Sequence, residues 1–368
     1  MNKLEIIALY LPQFYPFKEN NEWWGPGFTE WTNVAKARPL FKGHEQPKIP
    51  ADLSFYDLRL PLVREQQVEL ARKAGVTAFC YWHYWFGNGK RLLANVFDDV
   101  LESGKPDFPF CLGWANHSWE AKTWAKDMPN KMLMEQTYPG INDARMHFDY
   151  LLKAFKDPRY VKIDNKPFFL IFDSETLPKE YIEWFRMWSK EEGFDDLFLV
   201  SYVFEGCNKQ EQKNKGYSAV VFRRLNYATW AFRMGKLGDF LYKLKNRFMG
   251  VVYRRPRRVF DYRKYYPKFI KTIDREEDVI PAILPGYDHS PRSGDKGIIF
   301  THNAPQFFYY HVKQALEMVR NKRNKILLLR SWNEWGEGNY IEPDLKYGHG
   351  YLDALEKAVS EFVEYNKQ

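Results

Sequence analysis

A chain of 368 residues with 45% hydrophobic side chains can bury a large core, which excludes a disordered or fibrous protein. The formal charge of +8 is unevenly placed: nine Lys or Arg and a single acid, Asp261, lie between Lys243 and Lys264, so the chain has a local basic patch and is not basic throughout. No opening stretch suits a signal peptide or a membrane span, because the first apolar run, Ile6 to Leu11, is broken by Pro12; with three cysteines that do not pair in sequence (Cys80, Cys111, Cys207) this reads as a cytoplasmic protein with reduced thiols.

Eight short apolar runs follow one another along the chain: Glu5–Leu11, Val76–Trp82, Phe110–Ala115, Phe168–Phe172, Leu197–Val203, Ala219–Phe222, Val279–Leu284 and Ile326–Ser331. Helical spacing separates them. Leu60, Val63, Leu70 and Ala74 predict a helix closed by Gly75, and Leu93, Val96, Phe97 and Val100 another closed by Gly104. Tyr181, Trp184, Phe185 and Trp188 mark a helix from Pro178, Phe308, Val312, Leu316 and Val319 one after Pro305, and Leu352, Leu355, Val359 and Phe362 the last. The segment Asn208 to Lys215 is almost entirely polar and carries the weakest helical pattern.

Eight strand-helix units predict one (β/α)8 TIM barrel, a single catalytic domain over residues 1–368. A doubly wound sheet is the competing architecture, but no Gly-x-Gly-x-x-Gly or Gly-x4-Gly-Lys-Ser/Thr motif accompanies the strands. Two connections are long: Pro12 to Asp57 after the first strand, and 224–261, a basic insert after the sixth.

Barrel chemistry sits at the C-terminal ends of strands, so the residues that close each run are the candidates. The first run offers Tyr10 and Gln13, with Trp24 and Glu30 in the loop beyond; the second offers Trp82, His83 and Tyr84; the third Trp114, Asn116 and His117. The fourth ends at Asp173, the fifth at Tyr202 and Glu205, the sixth at Arg223, the seventh at Tyr287, Asp288 and His289. The eighth ends in Trp332, Asn333, Glu334, Trp335 and Glu337.

Aromatic residues make up 18% of the chain and crowd around these polar ends, which suits stacking on sugar faces. Within that setting Glu334 and Glu337 are the candidate catalytic pair, since glycoside chemistry needs one carboxyl to move a proton at the leaving oxygen and another on the opposite side. Capping of the following segment, or pairing with Arg or Lys, is the competing role for these two glutamates. His83 and His117 could donate hydrogen bonds to a sugar or serve only the structure. No His-x3-His or Cys-x2-Cys spacing supports a metal, no cofactor motif occurs, and Asp-x-Asp is missing. The patch Lys243–Lys264 interleaves Phe248, Val251, Val252 and Tyr253 with arginines, as would a segment resting on anionic membrane or gripping a lipid-linked phosphate; a solvated loop is the alternative, and no nucleic-acid motif accompanies the charge.

The opening Ala-Leu-Tyr-Leu-Pro-Gln-Phe-Tyr with Trp-Trp-Gly-Pro-Gly-Phe-Thr-Glu-Trp, then Phe-Cys-Tyr-Trp-His-Tyr-Trp-Phe, Gly-Trp-Ala-Asn-His-Ser-Trp and the closing Trp-Asn-Glu-Trp-Gly-Glu-Gly resemble the WbsX-type family, which is related to the glycoside hydrolase family 99 endo-α-mannosidases. The resemblance spans Leu4 to about Tyr351. It implies a metal-independent, retaining enzyme in which Glu334 assists the sugar's own 2-hydroxyl, Glu337 is acid then base, and Tyr10 lines the cleft. It also implies a role in bacterial O-antigen or capsule synthesis with an oligo- or polysaccharide substrate. A transferase using a nucleotide- or lipid-linked sugar and a glycan-binding barrel without catalysis remain open at this point.

Overall fold

The computed structural model describes residues 3–121, 131–226, 244, 256 and 258–365. Eight parallel strands occupy the expected places: β1 (Glu5–Tyr10), β2 (Ala78–Trp85), β3 (Phe110–Trp114), β4 (Lys166–Ile171), β5 (Phe198–Phe204), β6 (Ala219–Arg223), β7 (Ala282–Ile283) and β8 (Ile326–Leu329). They lie side by side in the order β6, β5, β4, β3, β2, β1, β8, β7. A parallel bridge between Val220 and Val279 closes the ring, with the Ile280 amide donating to the Val220 carbonyl at 2.8 Å. The result is a (β/α)8 barrel.

These residues make these strands because both faces are covered: every residue of β2, β3 and β8 is buried. Register follows from the same apolar rows, with Ile7 opposite both Leu328 on β8 and Ala78 on β2. Cys80 and Cys111 sit opposite one another on β2 and β3, and all three thiols are free.

The outer layer is helical: α1 (Pro61–Lys73), α2 (Asn95–Ser103), α3 (Ile141–Lys156), α4 (Lys179–Glu191), α5 (Lys209–Asn214), α6 (Pro305–Val319) and α7 (Gly350–Tyr365). Pro61 and Pro305 start their helices where a missing N–H costs nothing, and Gly104 ends α2 in the left-handed region at φ 69°, which a side chain would disfavour. The polar segment does form α5, short and capped by the Asn208 side chain, which accepts from the Gln210 amide at 2.9 Å. Helix α3 is absent from the expectations above; its core-facing side carries His147 and Asp143 beside Ala144, Phe148 and Leu151, so polar residues interrupt the apolar row.

The long connection after β1 folds over the barrel mouth through two short helices, Lys18–Trp24 and Glu30–Lys36. From it Trp31 packs on Trp335 at 5.6 Å between ring centres, and the Trp31 indole donates to the Tyr56 carbonyl at 2.8 Å. Most of the basic insert, including Lys243, Arg254, Arg255 and Arg257, lies outside the described residues. No helix among the described residues is long and apolar enough to cross a membrane.

Candidate active site

The strand ends surround an open cleft of about 360 Å³. Glu334 closes the two-residue strand Asn333–Glu334 that follows β8, its amide donating to the Ser331 hydroxyl at 3.1 Å, and Glu337 ends the single turn Trp335–Glu337. Both carboxyls meet one guanidinium. Arg292 donates from Nη1 to Glu337 at 2.8 Å and from Nη2 to Glu334 at 3.2 Å, while Nε donates at 2.9 Å to Glu30, a fully buried acid from the loop after β1. Gly336 lets these groups converge: a Cβ there would collide with the Glu30 carboxylate.

The two glutamates differ in proton affinity. Burial, then the neighbouring Glu337 charge, raises Glu334 to about 8. Burial pushes Glu337 the same way, but Arg292, His289, Arg330 and a hydrogen bond from Tyr287 outweigh it and hold this carboxyl below the ordinary value. Near neutrality these opposite shifts leave one proton on the pair, favoured on Glu334. One acid and one carboxylate then stand side by side, as acid/base catalysis requires.

Around the pair the cleft is lined by Trp82 and Tyr84 from β2, His117, Tyr202, Arg223 and Tyr287, all predicted from the sequence. Burial, partly opposed by Asp173, lowers His117 to about 4, so it is neutral and able to hydrogen-bond a hydroxyl.

The remaining candidates are structural in placement. Tyr10, 1% exposed, faces out of the barrel and donates to Gln67 at 2.6 Å, so it does not line the cleft the resemblance implies for it. Trp332 is buried against Phe79, and Asn333 clamps β1 through its side chain, accepting from the Leu11 amide at 2.8 Å and donating to the Leu11 carbonyl at 3.0 Å. Trp335 stacks on Tyr340 and donates to the buried Glu342 at 2.6 Å. His83 and Trp114 point into the helix layer, where His83 Nε2 lies 2.8 Å from His147 Nε2. Asn116 ties β3 to β4 by donating to the Asp173 carbonyl and accepting from its amide, and the Asp173 carboxylate caps the next turn. Glu205 pairs with Arg224 and Lys271, Asp288 accepts from Gln46 beside His44, Gln13 is buried, and Trp24 packs on Phe28 at the rim.

Strand pleating explains this division, since successive residues point to opposite faces. Leu9, Leu11, Trp82 and Tyr84 look inward, while Tyr10 and His83 look outward. Sequence reasoning missed Arg292 and Arg330. Arg330 had a signal, a cation closing the apolar run Ile-Leu-Leu-Leu; Arg292 lies in a four-residue helix with none. Among the described residues no cluster of His, Cys, Asp and Glu could hold a metal ion.

The fold and the cleft are thus those of a (β/α)8 barrel that gathers a buried carboxylate pair at the C-terminal ends of its strands. The family described as Glycosyltransferase WbsX matches residues 6–355, and the chain belongs to it. It is 32% identical over 362 residues to the uncharacterized protein WxcX of Xanthomonas campestris pv. campestris, in two strains, covering 96% of this chain and 49% of that protein. The chain thus spans about half the length of these curated relatives. Among solved structures, the GH99 endo-α-mannosidase of Bacteroides thetaiotaomicron superposes with a TM-score of 0.60 at 15% identity over 99% of both chains. A glycoside hydrolase-like protein gives 0.55 at 14% identity, covering 96% of this chain and 93% of that one. At such identities the likeness establishes the fold.

Proposed function

We propose that this chain is a metal-independent enzyme, working as one catalytic barrel, that cleaves or transfers glycosidic bonds during assembly of a bacterial surface polysaccharide in the cytoplasm. The observation that carries the reading is the buried glutamate pair on one guanidinium, its two carboxyls shifted in opposite directions, in a cleft walled by indole and phenol rings.

In the order implied by the family resemblance, the 2-hydroxyl gives its proton to Glu334 and its oxygen attacks the anomeric carbon. The leaving oxygen takes a proton from Glu337. Water or a sugar hydroxyl then opens the ring so formed, returning a proton to Glu337 while Glu334 re-protonates the 2-oxygen. This sequence retains configuration and needs the shared proton on Glu337 at the start. The raised proton affinity of Glu334 favours a second order, with Glu334 as acid and Glu337 as the ionised partner.

Replacing each glutamate by Gln and assaying α-mannosidic and cell-envelope oligosaccharides tests both the activity and the order. Activity on natural substrates falls by roughly 10²–10⁴ in either variant. An activated aryl leaving group rescues only the variant that lacks the acid, since such a group departs without protonation. Wild-type-like turnover in both variants would sink the enzymatic reading, and tight binding without turnover in the wild type would favour a glycan-binding barrel. Calorimetry with common nucleotide sugars separates a donor-dependent transferase.

A further inference from the structure

Arg223 belongs to the cleft but not to the glutamate machinery. It closes β6, and its guanidinium carbon lies 3.8 Å from the Phe204 ring centre, 4.5 Å from Phe172 and 5.2 Å from Tyr202. Rings cover its faces and leave the N–H edge for a partner. Its Nε is buried without a hydrogen bond, and no carboxylate among the described residues forms an ion pair with it. Asp173 attracts it from a distance; burial, and among its charged neighbours Arg330, pull its pKa down to about 10.

Arg330 also approaches this phenol, its guanidinium carbon 5.8 Å from the Tyr202 ring centre and 5.8 Å from that of Tyr287. Glu334 and Glu337 attract it, but these two and Glu30 already meet Arg292. The Tyr202 hydroxyl is buried and has no hydrogen-bond partner. Two guanidiniums gathered on one phenol, and that phenol's orphaned hydroxyl, thus belong to the lining of the same cleft.

A neutral sugar would leave Arg223, half-buried, without an ionic partner. An oxyanion would not, and planar guanidinium forks match the oxygens of a carboxylate or a phosphate. We propose that Arg223, Arg330 and the Tyr202 hydroxyl form a subsite for an anionic substituent, a carboxylate or a phosphate monoester, on the glycan bound over the glutamate pair. The proposal rests on the cleft being a glycan site and names the substrate class as acidic.

The test is calorimetric titration with probes that differ only at C6, in both the gluco and manno series: the methyl glycoside, the corresponding uronic acid and the 6-phosphate. The wild type should bind one of the anions at least about tenfold more tightly than the neutral sugar, and added salt should weaken only the anion. The carboxylate and phosphate arms decide between the two sources. Arg223→Gln should abolish the preference, and Arg223→Lys, which keeps charge without the fork, should retain part of it; thermal unfolding of each variant reads its fold. Equal affinity for neutral and anionic probes, no binding of any anion at about 10 mM, or a preference unchanged in Arg223→Gln overturns the proposal. Glu337→Gln should keep the anion preference while losing turnover, so failure of the catalytic reading and failure of the anion subsite give different results.

Discussion

The ends of β2 and β8 carry the same kinds of residue, an indole beside a possible acid or base, yet the β8 end turns Glu334 and Glu337 into the cleft while the β2 end turns His83 away from it. At β8, Glu334 and Glu337 share Arg292 and face the cavity. At β2, His83 turns outward to His147, whose ring lies flat on Trp85 at 4.6 Å, and burial drives His83 down to about 3. Position at a strand end therefore selects candidates, and the pleat decides which of them can touch a substrate.

The largest expected effect breaks the comparison at the β8 end. Glu337→Gln should lower kcat/KM by roughly 10²–10⁴, the usual contribution of a positioned acid or base, measured by release of reducing ends. In the wild type the same measurement against pH should give a bell whose alkaline limb falls near 8, where the proton on Glu334 is lost, and whose acid limb lies below the ordinary glutamate value, where Glu337 gains one. Arg292→Met should come next: it strands the buried Glu30 and leaves two further carboxyls facing each other, costing about 3–5 kcal/mol by urea unfolding.

At the β2 end the opposite pattern is expected. His147→Ala empties a fully buried site and should cost about 3 kcal/mol of stability while turnover per folded molecule stays at the wild-type level. A large loss of turnover in that variant would mean that the outward-facing cluster supports the chemistry after all.

A smaller effect lies between the two regions. Glu342 is buried under the site, holding Trp335, Gln67 and Tyr56 at 2.6, 2.6 and 2.9 Å, and burial raises it from 4.5 to about 7. Between those values the folded chain keeps a proton that the unfolded chain has released. This group's stability contribution is therefore complete below about 4.5 and is lost as pH rises through about 7, a change of order 3 kcal/mol at most. The buried histidines act the other way below their ordinary value, so the difference between wild type and Glu342→Gln isolates the effect. Chemical denaturation at pH 5 and pH 8 should show the gap between the two proteins shift by that order, the variant gaining at the higher pH.

The sequence by itself determined the eight strands, because a strand covered on both faces must be apolar throughout and such runs are visible without coordinates. It also pointed to the eighth strand end, where two glutamates stand among Trp and Gly residues. Helix α3 escaped because buried His147 and Asp143 break its apolar row. Tyr10 and Asn333 read as site residues because a polar side chain at a strand end looks the same whether it faces a substrate or bonds to Gln67 or to the Leu11 backbone.

Only the tertiary structure decided which side chains share the cleft. Arg292 reaches Glu30 across 262 positions and Glu337 across 45, and Arg223 at the end of β6 and Arg330 just past β8 both approach Tyr202 of β5. Barrel closure brings these ends together, and the charge each group carries there depends on burial and on neighbours that no local pattern of residues records.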